Sequence, residues 1–369
     1  MGSFGFVEVE SGAMNTSMED VMKPIQPFLT YDELLYINSY LLSISIPICI
    51  FGIFTNIVNI LVFYKMGFSS PTNISLFCLA IADLLTLCFS LVISFGNHPA
   101  LIRDDLSFSM IDFSRVGAQV YYSSCAIGSW ITAVINVERS FCVVFPMKVK
   151  QIFTRKTTAR LIAGMVIYQI ASGLPRSFGV RFAWIPSAVT NRTIISYVIF
   201  NPRLVSLSYL VSFSLPNLIC FFVVVVGTIF LISKFKQSRQ LRSTMSRTGE
   251  KSNKMSDKDA RLVRSMIFVS ALYIYGATPN VLLYVIPAAY PSLHMDNPYL
   301  GYLHSLLLLA AIVAQAASCS VNIFVYVRMG SNFKTKATSV TISEVTPWPV
   351  GYQYYDILRD SVTSRLPAL

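Results

Sequence analysis

The sequence predicts an all-α membrane protein, a bundle of seven transmembrane helices, and three observations carry that prediction. Of 369 residues, 54% are apolar and only 13% charged, with a mean hydropathy of +0.59, whereas a soluble chain carries about 25% charge. The charges crowd into a few segments and leave long uncharged runs. The basic residues fall unevenly between alternate segments. With Gly and Pro at 17 each and Cys at 7, collagen-like, disordered and disulfide-stapled secreted chains are excluded.

A bilayer core about 30 Å thick needs roughly 20 apolar residues per helix, so gaps between charges locate the spans. The first lies between Glu33 and Lys65. The second, between Lys65 and Arg103, is broken by one charge, Asp83. Arg115 to Glu138 encloses the third, and Arg160 to Arg176 a shorter fourth that ends at Pro175. Arg203 to Lys234, Arg264 to Asp296 and Asp296 to Arg328 enclose the last three. Between spans four and five, Thr193-Ile-Ile-Ser-Tyr-Val-Ile-Phe200 is β-branched and aromatic and predicts a strand, hence a hairpin lid. The expected organisation is an extracellular tail at 1–35, a transmembrane domain at 36–328 and a cytoplasmic segment at 329–369.

Loops rich in Lys and Arg stay in the cytoplasm. With the N-terminus outside, the cytoplasmic segments hold 22 basic residues and the extracellular ones seven. The N-terminus is therefore expected outside and the chain in the plasma membrane as a multi-pass protein. The net charge of +11 reads as this topology signal and as attraction to anionic inner-leaflet lipid, not as nucleic-acid binding. The acidic first thirty residues lack the apolar core of a cleavable signal peptide, so the first span is the expected export signal. The sequons at Asn15 and Asn191 fall outside and are expected to carry glycan, whereas Asn73 falls at a cytoplasmic helix start. All seven cysteines lie within or at the ends of apolar runs, so no extracellular disulfide can be drawn.

Polar groups inside the spans are costly and mark function. Asn56 stands in span one and Asp83 in span two. Span three ends in Glu138-Arg139-Ser140, followed by Pro146. Pro216 and Pro279 interrupt spans five and six. Span seven ends in Asn322-Ile-Phe-Val-Tyr326, followed by Gly330-Ser-Asn-Phe333-Lys334. In this order and on these spans, from about residue 36 to 338, the segments resemble the rhodopsin-like G protein-coupled receptors. Glu138-Arg139-Ser140 resembles Asp/Glu-Arg-Tyr, Asn322 and Tyr326 resemble the ends of Asn-Pro-x-x-Tyr, and the Gly-Ser-x-Phe-Lys run resembles the start of a short amphipathic eighth helix.

The departures are numerous. Ser114 stands where the family has the cysteine that ties helix three to the second extracellular loop. Helix four has no Trp, Val224 replaces a helix-five Tyr, Ala277 stands in the usual Phe-x-x-Cys-Trp-x-Pro and Ile323 replaces the seventh-helix Pro. Such a pattern suits a divergent invertebrate peptide or chemosensory branch.

The resemblance implies an extracellular ligand and a heterotrimeric G protein as partners. Coupling is assigned to Asn56, Asp83, Glu138, Arg139, Pro216, Asp259, Pro279, Asn322 and Tyr326, with Asp259 as an acid that pairs with Arg139 in the off state. By registry the ligand pocket is lined by Tyr121, Tyr122, Cys125, Asn280, Tyr284 and Ile312. Tyr121 stands where amine receptors carry Asp, and Ala316 where opsins carry Lys, so neither ligand class is supported. Asp83, Ser318 and Asn322 are candidate ligands for a sodium ion, although Gly128 replaces a helix-three Ser that often contributes.

Ten acidic residues face seven basic ones outside, which favours a weakly cationic ligand. The three histidines lack metal-ligand spacing, and neither catalysis nor a cofactor is expected. A transporter or ion channel is the alternative class, since seven spans and a buried carboxylate also serve ion movement.

Overall fold

The computed structural model describes residues 30–101, 108–186, 192–248, 257–289, 301–329 and 333. Thr30 opens helix α1 (Tyr31–Met66): its hydroxyl accepts the Glu33 N–H at 3.3 Å, and the Glu33 carboxylate takes the Thr30 N–H at 2.9 Å. This reciprocal capping box starts the helix ahead of residue 36. The helix stops at Gly67, whose φ of +78° only glycine adopts without strain. Helix α2 (Pro71–Asn97) then starts with proline in its first turn, where the missing N–H costs nothing.

Six described helices are long and apolar enough to cross a membrane: Asp32–Met66, Pro71–Asn97, Met110–Val144, Pro202–Gln237, Val263–Ile286 and Tyr302–Val327. The seventh helix of the bundle, α5 (Arg155–Ser177), is less apolar because Arg155, Lys156 and Arg160 occupy its first turns. It is longer than the Arg160–Arg176 span expected from charge alone. Thr154 caps it by accepting the Thr157 N–H at 3.2 Å, and its 23 residues extend about 35 Å. Helices α3 (Met110–Val144) and α4 (Pro146–Ile152) precede it. The expected strand is present: β1 (Val180–Pro186) pairs antiparallel with β2 (Thr193–Ile199), from Val180 opposite Ile199 to Pro186 opposite Thr193.

The fifth span is α6 (Pro202–Tyr209), a widened π turn (Leu210–Ser214) and α7 (Leu215–Thr248). Pro216 has no N–H to give the Ser212 carbonyl. Gln169 of α5 donates its Nε2 to that carbonyl instead at 3.0 Å, and the Tyr168 hydroxyl donates to the Val211 carbonyl at 3.0 Å. A proline kink and its repair by a neighbouring helix are thus one feature.

Helix α8 (Asp257–Ala289) forms the sixth span, and α9 (Gly301–Ser320) with α10 (Asn322–Met329) the seventh. The last span breaks at Val321 without a proline. The Phe324 N–H turns to the Val321 carbonyl at 3.1 Å, and the Ser320 carbonyl accepts the Thr55 hydroxyl at 3.2 Å. Beyond α10, Phe333 is again helical and buried against Phe63 and Tyr326, where the short eighth helix is expected.

Helix α2 packs on α1 and α3, α1 on α9, α3 on α7 and α8 on α9. The cytoplasmic half of the core gathers Val62, Phe63, Leu76, Ile131, Met266 and Tyr326. Phe54, Ile167 and Val226 face outward, each more than 60% exposed, as a lipid-facing wall requires.

Candidate functional site

At the extracellular end, Asp112 in the first turn of α3 is 6% exposed and holds the hairpin. Its Oδ2 accepts the Ser196 hydroxyl and, at 3.2 Å, the Tyr197 N–H, while its Oδ1 takes Arg115 at 2.7 Å. The Ser109 N–H adds a 3.5 Å contact to the Ile195 carbonyl. Charge-assisted hydrogen bonds therefore join helix three to the second extracellular loop, the junction at which the resembled family uses a disulfide. Ser114 faces the other way and accepts Asn97 Nδ2 at 2.9 Å from α2.

Beneath this lid, five of the six expected pocket residues come together in one cluster: Tyr121, Tyr122, Cys125, Tyr284 and Ile312, joined by Tyr209 and Phe213. Tyr122 packs on Tyr121 at 5.2 Å and on Phe213 at 4.6 Å between ring centroids, and the Tyr209 and Tyr284 hydroxyls lie 3.5 Å apart. Tyr121 is 1% exposed, and its hydroxyl meets the weak Cys125 thiol but no nitrogen or oxygen partner among the described residues. Asn280 is buried but outside the cluster, its Nδ2 lying 3.4 Å from the Gly276 carbonyl of its own helix. Pro279 precedes it in the same helix.

Midway down, Asn322 donates to Asp83 at 2.7 Å and Ser318 to the Leu272 carbonyl at 2.8 Å. Gly276 permits that approach, because a Cβ there would lie 2.7 Å from the Ser318 Cβ. Asp83, Ser318 and Asn322 line one cavity of about 20 Å³ together with Gly128, Ser129 and Thr132. That is room for one water-sized occupant, and a carboxylate with hydroxyl and amide oxygens suits a hard cation. Asn56 does not join them. It reaches the carbonyls of Gly52 at 2.9 Å and Cys319 at 3.1 Å and ties α1 to α9.

At the cytoplasmic end, Arg139 is only 7% exposed, which excludes a side chain that merely snorkels to water. Its Nη2 donates to Glu138 at 3.0 Å and to the Thr72 hydroxyl of α2, and Thr72 donates to Glu138 at 3.2 Å. Arg139 Nε, Glu138 Oε2 and the Tyr326 hydroxyl are buried without partners among the described residues. Asp259 falls in α8, but its side chain lies outside the described residues, as do Asn15 and Asn191 altogether.

One turn above Arg139, Asn136 donates to Thr228 Oγ1 at 3.0 Å and to Ser270 Oγ at 2.9 Å, bridging α3, α7 and α8. Sequence reasoning missed it, as it missed Asp112, Thr72 and Gln169. An amide within an otherwise uncharged span was the available signal for Asn136. Gly227 gives it space, since a Cβ there would lie 1.9 Å from Asn136 Oδ1.

The arrangement defines a seven-helix membrane protein with a buried aromatic cluster toward its extracellular end and a buried arginine at the opposite end. The family profile described as 7 transmembrane receptor (rhodopsin family) matches residues 55–326. The chain belongs to this rhodopsin family of seven-transmembrane receptors, and is a multi-pass protein of the plasma membrane. It is 28% identical over 133 residues to human lysophosphatidic acid receptor 4, covering 35% of this chain and 34% of that one. It is 30% identical over 143 residues to neuropeptide receptor 22 of Caenorhabditis elegans, covering 37% and 31%. Human neuromedin-U receptor 2 is 24% identical over 155 residues, covering 39% and 35%. The chain spans about a third of the length of each of these relatives.

Proposed function

We propose that the chain is a ligand-gated activator of a heterotrimeric G protein, and that its ligand is an extracellular neuropeptide or a small chemosensory molecule. The buried Arg139 carries this reading. A guanidinium held out of water by Glu138 and Thr72, with its Nε unpartnered among the described residues, gains by exchanging partners when the helices part. The mobile part is α8, in which Pro279 supplies a hinge and a rigid half-helix can swing. The Tyr121 hydroxyl, which meets only the weak Cys125 thiol among the described residues, supports ligand entry at the other end, because a poorly met buried donor carries a cost that a ligand acceptor would recover. The hairpin lid and the acidic excess outside support a peptide of weakly cationic character.

The test is expression with a promiscuous G protein and a panel of peptides and metabolites. An agonist should evoke G-protein activation, and Tyr121→Ala or Tyr284→Ala should each weaken its potency about tenfold or more at equal surface expression. If both variants respond like the parent, the ligand sits higher, in the loops. A ligand-evoked current without any G protein would sink the reading in favour of a channel.

A further inference from the structure

A second cavity, of about 540 Å³, lies in the outer wall of the bundle, away from the aromatic cluster and from Asp83. Trp130 of α3, Tyr168 of α5, and Leu215, Pro216 and Ile219 of α7 form its apolar walls. Its volume falls in the roughly 300–1,000 Å³ range of small-molecule sites. Gly164 opens it, because a Cβ at that position would meet nothing within 4 Å. The groove is mainly apolar and opens on the outer wall, so in a bilayer lipid hydrocarbon fills it.

Charge and length select the hydrocarbon. Among the described residues, Arg160 is the only charged one lining the groove. Its Nε donates to the Lys156 carbonyl at 3.3 Å, and no carboxylate among the described residues pairs with its guanidinium. Lys156 stands one turn away on the same helix face, and Arg155 precedes it. From Arg160 to Tyr168 the helix rises about 12 Å, comparable with one leaflet, half of the roughly 30 Å core. The basic end lies on the cytoplasmic side, where anionic lipids concentrate.

We propose that this groove binds an anionic phospholipid of the cytoplasmic leaflet, one acyl chain lying along Gly164 beneath Pro216 and the phosphate seated on Arg160. A guanidinium meets a phosphate through two parallel hydrogen bonds, and an anionic headgroup adds a net attraction to the basic end of the helix that a net-neutral zwitterionic headgroup lacks.

The experiment offers the full-length protein in detergent micelles equal amounts of phosphatidylserine and phosphatidylcholine, with cholesterol as a third competitor, and reads retained lipid by native mass spectrometry. The parent should retain phosphatidylserine at least fivefold over phosphatidylcholine. Arg160→Gln should bring the two to parity. Gly164→Leu, which fills the groove, should lose retention of both while its melting temperature stays at or above the parent's. If Gly164→Leu does not fold, Ile219→Trp fills the groove from the opposite wall and should give the same loss. Equal retention of the two phospholipids by the parent, preferential retention of cholesterol, or unchanged phosphatidylserine retention in the filled variant would each overturn the proposal.

Discussion

Helix α3 carries a buried charge near each end, and the two are satisfied to different degrees. At the outer end both Asp112 oxygens are used, one by Arg115 and the other by the Ser196 hydroxyl and the Tyr197 N–H. At the inner end Arg139 and Glu138 share Thr72, yet Arg139 Nε and Glu138 Oε2 stay unpartnered among the described residues. A fully bonded buried charge deepens one arrangement, because every alternative forfeits several charge-assisted bonds. A partly bonded charge retains a desolvation cost that another partner can relieve. The outer charge is built as a staple, and the inner one is the switch of the function proposed above.

The largest expected effect lies at the inner end. Arg139→Ala should abolish G-protein activation, basal and evoked, at surface expression matched to the parent. A signalling-competent Arg139→Ala protein would break the comparison, because the inner charge would then be structural too. The next effect is at the outer end and should appear in a different measurement. Asp112→Ala removes the staple and leaves the Ser196 and Tyr197 donors unmet, at a cost of about 3 kcal/mol. The melting temperature in detergent should fall by several degrees, and the β1–β2 amides should exchange faster. Asp112→Asn keeps acceptor capacity and should recover about half of the loss. Basal signalling should stay within twofold of the parent in both, and a large rise would mean that the outer charge also switches.

This division was only half legible in the sequence. Charge gaps found the spans, and the polar residues within them identified Asp83, Arg139 and Asn322, because intramembrane charge is visible in one dimension. The fourth span was read short, since three basic residues in its first turns look like loop until Thr154 is seen to cap them. Partners across helices left no one-dimensional trace. Nothing in the spacing of Gln169 tells that it answers the carbonyl freed by Pro216, or that Asp112 does the work of an absent disulfide. The bend of the last span was obscured as well. Ile323 removes the expected proline, yet the helix still breaks at Val321 because Thr55 and Asn56 meet the carbonyls of Ser320 and Cys319.

Asn136 sharpens the comparison by adding a neutral tie beside the inner charge. Its two hydrogen bonds, to Thr228 and Ser270, hold α7 and α8 to α3 at about 1 kcal/mol each. Asn136→Ala should raise basal signalling about tenfold if most of that energy favours the closed state. Gly227→Ala tests the same tie without replacing the amide, since the new Cβ would lie 1.9 Å from Asn136 Oδ1 and must displace it. If Asn136→Ala raises basal signalling and Gly227→Ala does not, the amide acts through something other than the α3–α7–α8 bridge.

The smallest effect belongs to Asp259, the acid expected to complete the inner pair. It lies in the cytoplasmic part of α8, twenty residues before Pro279, about 30 Å along the helix from the hinge. Any motion about Pro279 is therefore greatest where Asp259 sits. Arg139 Nε, buried and unpartnered among the described residues, is the donor such an acid would take. A net worth of about 1 kcal/mol for such a pair is roughly a fivefold shift between closed and open populations. Asp259→Ala should accordingly raise basal signalling about fivefold, less than loss of Asn136, because one pair is lost where Asn136 loses two hydrogen bonds. Asp257 stands two residues away on another face of α8, so the Asp257, Asp259 double alanine variant should respond as Asp259→Ala does and is the stricter test. Unchanged basal activity in that variant, at matched surface expression, would reject the pair and leave Glu138, Thr72 and Asn136 as the whole of the inner lock.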